Sequence, residues 1–192
     1  EQLLQQKSVL LLAPEIALTP QLEQRVKDQF GPAVGMYHSK MTPAKRYKAW
    51  KKFRSGEINI LIGTRSAAMM SAPKLGLIII DEEHDASYKQ HEGFKFSARD
   101  LAIKRAQILK IPIILGSATP SLRTLRLVDE KKFGLIKLTK RITKQNPPKF
   151  SILDINETAL TSGLAPQAIE AIAATLKKEK QAMIFINRRG FA

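Results

Sequence analysis

Short apolar runs alternate with longer amphipathic segments along this chain, and the alternation predicts a parallel α/β sheet with strands buried on both faces. The runs Val9–Ala13, Ala33–Tyr37, Asn59–Ile62, Leu77–Asp81, Pro112–Leu115, Phe150–Asp154 and Ala182–Asn187 read as strands. Helix signals lie between most of them. Thr19-Pro20 reads as an N-cap with proline at the first helical position, and the helix it opens stops before Gly31. Thr42-Pro43 repeats the device, with Gly56 past the end. Ser97 is expected to cap a helix running through Lys110, and a further helix is expected after Thr119-Pro120. On the helix after Thr42, Trp50 and Phe53 fall at helical spacing from Tyr47 and are expected to face the core beneath a basic surface.

The pattern changes at residues 140–149, where KRITKQNPPK has no apolar period and carries two prolines, as linkers do. The strand–helix–strand that follows is too short to close a core of its own. Residues 1–139 are therefore expected to form one domain, 140–149 a linker, and 150–192 the beginning of a second α/β domain. An add-on to the first sheet is the alternative.

Composition narrows the class. Hydrophobic residues make up 44 % of the 192, enough for a buried core, which excludes wholesale disorder. The apolar runs fall well short of the roughly 18 residues that a membrane-spanning helix needs. Nor does the opening Glu1-Gln2 begin a signal-peptide pattern. The expectation is a soluble, cytoplasmic chain without a membrane partner. With no cysteine, these residues can build neither a disulfide framework nor a thiolate zinc site. The formal net charge of +15 is bunched. In Pro43–Arg54 six of twelve residues are basic and none acidic, and residues 123–149 carry nine basic against two acidic side chains. Such clusters gain affinity for polyanions by displacing counterions from phosphates, so the charge favours a nucleic-acid partner over a small neutral substrate, with a well-solvated surface as the plain alternative.

Ligands of open α/β sheets bind at the carboxyl ends of the strands, so candidate chemistry is sought there. Pro14-Glu15 follows the first strand, Gly63-Thr64-Arg65-Ser66 the third, and Gly116-Ser117-Ala118-Thr119-Pro120 the fifth. Asn187-Arg188-Arg189-Gly190 follows the last. The sharpest element is LIIIDEEH, Leu77–His84. An apolar strand there delivers Asp81 and Glu82 side by side, where a divalent metal and a polarised water could meet. Magnesium takes one or two carboxylates together with substrate phosphates and water, and a neighbouring carboxylate can orient an attacking water. A solvated acidic turn is the plain alternative. Tyr88, His91, Phe94 and Phe96 are spaced through polar residues beside this turn, as suits stacking on unpaired bases. Of these rings, Phe96, nearest the Ser97 cap, is the one expected to tuck into the core.

Taken in order, APEIALT, GTRSA, DEEH, GSATPS and FINRRG resemble the motor of superfamily 2 helicases, whose fold is a RecA-like parallel sheet with flanking helices. Within that superfamily, DEEHDASYKQHEGFKFSARDLA (Asp81–Ala102) and the closing NRRGFA resemble the PriA-type helicases of bacterial replication restart. The resemblance implies an ATP-dependent 3′→5′ DNA helicase that acts at forked or junction DNA with primosome and single-strand-binding proteins. By the same resemblance Asp81 holds magnesium on ATP through water and Glu82 acts on the hydrolytic water. His84, Ser117 and Thr119 relay the nucleotide state. Thr64, Arg65, Tyr88, Phe94, Phe96, Arg188 and Arg189 contact DNA. Glu15 and Thr19 match the segment before the first helix, where capping alone accounts for Thr19.

The 192 residues contain no G-x-x-x-x-G-K-[ST], the loop that cradles nucleotide phosphates. The resemblance places that loop upstream of the helix whose tail is Glu1–Lys7, and the family's arginine finger and zinc-binding cysteines beyond NRRGFA. The chain by itself is therefore expected to hydrolyse essentially no ATP. Two other readings fit the same residues: a nucleic-acid-binding module without ATPase activity, and an unrelated α/β phosphatase or nuclease that uses Asp81 and Glu82 with a metal.

Overall fold

In the computed structural model, which describes residues 5–14, 20–139 and 149–185, the chain divides into two compact units, residues 1–136 and 137–192. The first is built on five parallel strands: β1 (Ser8–Leu12), β2 (Val34–Tyr37), β3 (Ile60–Gly63), β4 (Leu75–Ile80) and β7 (Ile113–Leu115), in the order β2-β3-β1-β4-β7. Between β4 and β7 a short antiparallel ribbon forms from β5 (Lys89–Gln90) and β6 (Phe96–Ser97).

Alternation within each strand sorts the core into two faces. Leu10 and Leu12 of β1, Leu61 of β3 and Ile78 and Ile80 of β4 point to one side, where they meet Phe53 of helix α2 (Pro43–Ser55) and Ala98, Ala102 and Ala106 of α3 (Ala98–Leu109). Val9, Ile60 and Ile62 point to the other, where Leu22 and Val26 of α1 (Pro20–Phe30) pack against them. Central strands thus bury both faces, which is why they read as continuous apolar runs.

The helices begin where their caps stand. The Thr42 side chain accepts from Lys45 N and Gly56 ends α2 at φ 80°, while Ser97 accepts from Asp100 N at the head of α3. Helix α4 (Leu122–Asp129) forms where expected. It follows Thr119-Pro120, but its N-cap is Ser121, which accepts from Thr124 N, rather than the threonine before the proline as on α2. Trp50 is half-buried rather than core-facing, with the Arg54 guanidinium 5.2 Å above its ring, while Phe53 is fully buried as expected.

Register aligns the strand ends. Tyr37 pairs with Gly63, Gly63 with Leu12, Leu12 with Ile80 and Ile80 with Leu115, so all five strands stop in one row. Gly63 is required there: a Cβ on it would lie 2.5 Å from the Tyr37 carbonyl oxygen and 2.4 Å from Ala67 Cβ. Gly63→Ala is expected to cost about 1–3 kcal/mol of stability through overpacking against backbone. Gly134→Ala, whose new Cβ would meet nothing within 4 Å, is expected to leave the urea midpoint unchanged.

In the second unit the described residues form one helix, α5 (Pro166–Leu176), and an isolated bridge between Thr161 and Leu164. The expected strand Phe150–Asp154 does not form, and residues 182–185 of the expected Ala182–Asn187 are irregular. Phe150, Ile152, Met183 and Phe185 are exposed. A β-strand is stable only beside a partner that takes its backbone hydrogen bonds, and these two segments have none among the described residues. Glu15, Thr19, Arg188, Arg189 and most of the expected linker lie outside the described residues. No described helix is long and apolar enough to cross a membrane.

Candidate nucleotide-coupling site

Because the strands end in one row, the residues just past them share an edge. Each ladder runs one residue further: Asp81 N donates to Leu12 O (2.8 Å), Gly116 N to Ile80 O (2.8 Å) and Thr64 N to Tyr37 O (3.2 Å). Asp81 is exposed just past the carboxyl end of β4, and its Oδ1 accepts from Glu82 N at 3.1 Å. Glu82 sits at φ 46°, a left-handed conformation that costs a non-glycine residue roughly 1–2 kcal/mol. Strain of this kind at a strand end directs a side chain where a relaxed turn would not. One carboxylate oxygen of Glu82, Oε2, is shielded from solvent and accepts no hydrogen bond. His84 Nδ1 lies 3.5 Å from it.

His84 faces the end of β7. Its Nδ1 lies 2.8 Å from Ser117 Oγ and its Nε2 3.4 Å from Thr119 Oγ1, and Thr119 N donates to Ser117 Oγ at 3.0 Å. Asp81, Glu82, His84, Ser117 and Thr119 therefore form one cluster across two neighbouring strand ends. Since Ser121 does the capping, the Thr119 hydroxyl is available to the histidine.

The residues expected at DNA separate into two sets. Phe94, at the tip of the β5–β6 ribbon, is 75 % exposed, with its ring 6.0 Å from that of Phe96. Phe96 is half-buried against the core. Tyr88 corrects the expectation of stacking. It is only 2 % exposed, and its hydroxyl donates to the Asp81 carbonyl at 2.6 Å, so its ring has no face to offer a base. Burial, and then the charges of Asp81, Asp85 and Glu82, push the Tyr88 phenol far above its ordinary range. Thr64 is also buried, at 8 % exposed. Arg65 is turned inward: its Nη1 donates to Ser87 O (3.2 Å) and Lys89 O (2.8 Å), pinning the segment that carries Tyr88. Asp85 stands at the start of that segment, its carboxyl held below the usual range by the hydrogen bonds from Ser87.

The basic clusters are likewise divided. On α2, Lys45, Lys48, Lys51 and Arg54 are exposed. In the tract after 123, Arg123 pairs with Asp100 (2.9 Å), and Arg126 (2.8 Å) and Lys132 (2.7 Å) both pair with Glu130. Part of the charge counted there is met within the chain.

Sequence reasoning passed over Glu83. It is 3 % exposed and 2.7 Å from Arg99 Nε, forming a buried ion pair. The available signal was three consecutive carboxylates at a strand end with an arginine just inside the following helix cap.

The exposed carboxylate of Asp81 and the Glu82 oxygen that accepts no hydrogen bond fit a magnesium ion held through one protein carboxylate, water and substrate phosphates. Among the described residues no group of three or more histidine, cysteine, aspartate or glutamate side chains is placed to hold a metal alone. A phosphate-cradling loop is not part of this sequence.

Residues 1–128 match the family described as DEAD/DEAH box helicase. Over 97 % of its length the chain is 43 % identical to the replication restart protein PriA of Haemophilus influenzae, covering 26 % of that protein. It is 36 % identical to PriA of Bacillus subtilis, again over 97 % of this chain and 24 % of that one. The chain thus spans about a quarter of the length of these curated relatives. A solved structure of RecG bound to a three-way DNA junction superposes with a TM-score of 0.42 at 24 % identity, over 63 % of this chain and 15 % of that one.

Proposed function

We propose, since this chain belongs to the DEAD/DEAH box helicase family, that it supplies the motor core of an ATP-dependent DNA helicase of replication restart. The cluster at the ends of β4 and β7 is the observation that carries this reading. A carboxylate fit for magnesium, a second carboxylate with a free acceptor and a histidine bound to two hydroxyls of the next strand end are the parts that nucleotide hydrolysis coupled to movement requires. Residues 1–139 form the first RecA-like domain, 140–149 the linker and 150–192 the start of the second.

In this reading Asp81 would hold magnesium, which when bound would supply positive charge to offset that developing on the transferred phosphoryl group. Glu82 accepts the proton of the attacking water through Oε2. His84 senses the state of that site through Ser117 and Thr119. On the DNA side, exposed Phe94 stacks on an unpaired base and the α2 cations attract the phosphate backbone. Arg65 and Tyr88 hold the loop between the two sites. The resemblance to PriA supports action at forked DNA with 3′→5′ polarity, primosome and single-strand-binding partners, a zinc-binding region elsewhere in the protein and a cytoplasmic location.

The test is ATP hydrolysis by the complete protein with and without forked DNA. Strong stimulation by DNA is expected, and its absence with any DNA would favour a binding module. Magnesium-dependent cleavage of a non-nucleotide phosphoester would instead indicate a phosphatase or nuclease. Phe94→Ala is expected to raise the DNA concentration needed for half-stimulation about tenfold, as losing roughly 1–3 kcal/mol of stacking implies, with DNA-free hydrolysis unaltered. Equal losses in both would mean a packing defect instead.

A further inference from the structure

Glu83 touches neither Asp81's proposed metal nor the hydroxyls that meet His84, yet it grips both ends of the loop that carries those hydroxyls. Its backbone N–H donates to Gly116 O at 3.0 Å, where the loop leaves β7. Its carboxylate accepts from Ser121 N at 2.7 Å and from Ser121 Oγ at 3.3 Å, where the loop enters α4. The next residue along the turn, His84, meets the middle of the same loop at Ser117 and Thr119. Two consecutive residues thus engage Gly116, Ser117, Thr119 and Ser121 of this loop.

The charge of Glu83 is held in turn. Arg99 Nε lies 2.7 Å from Glu83 Oε2. The other end of the guanidinium donates to Thr124 Oγ1 at 2.6 Å, and Thr124 Oγ1 is 3.0 Å from Ser121 Oγ. Glu83, Arg99, Ser121 and Thr124 are all at least partly withdrawn from water, so their hydrogen bonds face little competition and the arrangement has one low-energy geometry. A carboxylate at the first amides of α4 is also favoured by the helix dipole.

We propose that Glu83, held by Arg99, is a positioning residue that sets the Gly116–Ser121 loop so that Ser117 and Thr119 meet His84, and that coupling of hydrolysis to DNA depends on this hold. The coupling half of this inference rests on the helicase reading. The hold itself does not.

Two variants of the complete protein test it. Glu83→Gln keeps the shape but sets an amide N–H₂ or a neutral oxygen against Arg99. Glu83→Asp keeps a negative charge in the pocket, so Arg99 is not left without a counter-charge, but draws the carboxylate back by one methylene and loosens its bonds to Ser121. Both are expected to speed hydrogen exchange at the Thr119 and Ser121 amides about tenfold or more, as loss of a charged acceptor implies, with β1 and β4 amides unchanged. DNA-stimulated kcat is expected to fall about tenfold while KM for ATP stays within about twofold. Adding Ser117→Ala to Glu83→Asp is expected to lower kcat no further, because both changes act through one loop.

Unchanged exchange at Thr119 and Ser121 in Glu83→Asp overturns the proposal. So does retained kcat with the loop released, or a fully additive loss in the double variant. If the wild-type protein shows no DNA-dependent hydrolysis, the helicase reading and the coupling half fall together. The exchange measurement then decides the hold by itself.

Discussion

Glu82→Gln is expected to lower DNA-stimulated ATP hydrolysis by the complete protein by about 10²–10⁴-fold, the contribution of a well-placed acid–base group. Nucleotide affinity should barely move. The substitution isolates chemistry because glutamine is nearly isosteric. The backbone N–H that Asp81 Oδ1 accepts remains, and so does the left-handed φ of 46°. What disappears is a proton acceptor at Oε2, the one oxygen of the turn that is shielded and free of hydrogen bonds. Single-turnover hydrolysis measured beside equilibrium nucleotide binding separates the two effects. Near-normal turnover would assign the acidic turn to structure and remove Glu82 from the mechanism.

The second large effect is on stability. Tyr88→Ala is expected to cost about 3–5 kcal/mol, as for other large aromatics removed from a core. Tyr88→Phe, which keeps the ring but loses the hydrogen bond to the Asp81 carbonyl, is expected to cost about 1 kcal/mol. Urea denaturation of the three proteins gives both numbers, and a nearly silent Tyr88→Ala would return the ring to the surface. The pair also has a pH signature. Folding raises the Tyr88 phenol above its ordinary value of 10.0. Its contribution is therefore complete below that value and is lost as pH rises beyond it, when the unfolded chain ionises and the folded one resists. Tyr88→Phe should remove that part of the alkaline loss of stability. Tyr88 also bears on the site, because its hydroxyl holds the carbonyl of the residue proposed to carry magnesium.

Much of this was legible in the chain. The five strands of the first sheet follow from apolar runs, and Thr42, Gly56 and Ser97 announce their helix ends by short-range chemistry. The strand-end residues Asp81, Glu82, His84, Ser117 and Thr119 were named as candidates from the same pattern, and the register brings them to one edge. Thr119-Pro120 copies Thr42-Pro43 and a helix follows it, but the cap is not the threonine. The helix starts later because Ser121, not Thr119, has a carboxylate waiting for its N–H. Tyr88 turned inward for a similar reason, while Phe96 packs half-buried against the core as expected. Nothing local marks which ring of a polar loop turns inward, but only a tyrosine there can reach the Asp81 carbonyl. The strands expected at Phe150–Asp154 and Ala182–Asn187 carry the right pattern, yet pattern alone supplies no neighbouring strand.

The sequence by itself determined the elements, the parallel sheet and the chemistry at its ends, because apolar periods and caps act across a few residues. Only the tertiary structure decided which polar groups are spent in holding the site and which remain free to act. Glu83 is used up by Ser121, 38 residues away, and by Arg99, while Glu82 keeps an open oxygen. Adjacent carboxylates of identical composition differ in this way because a buried charge must find its partner in space. Folding across the sheet, not spacing along the chain, brings that partner.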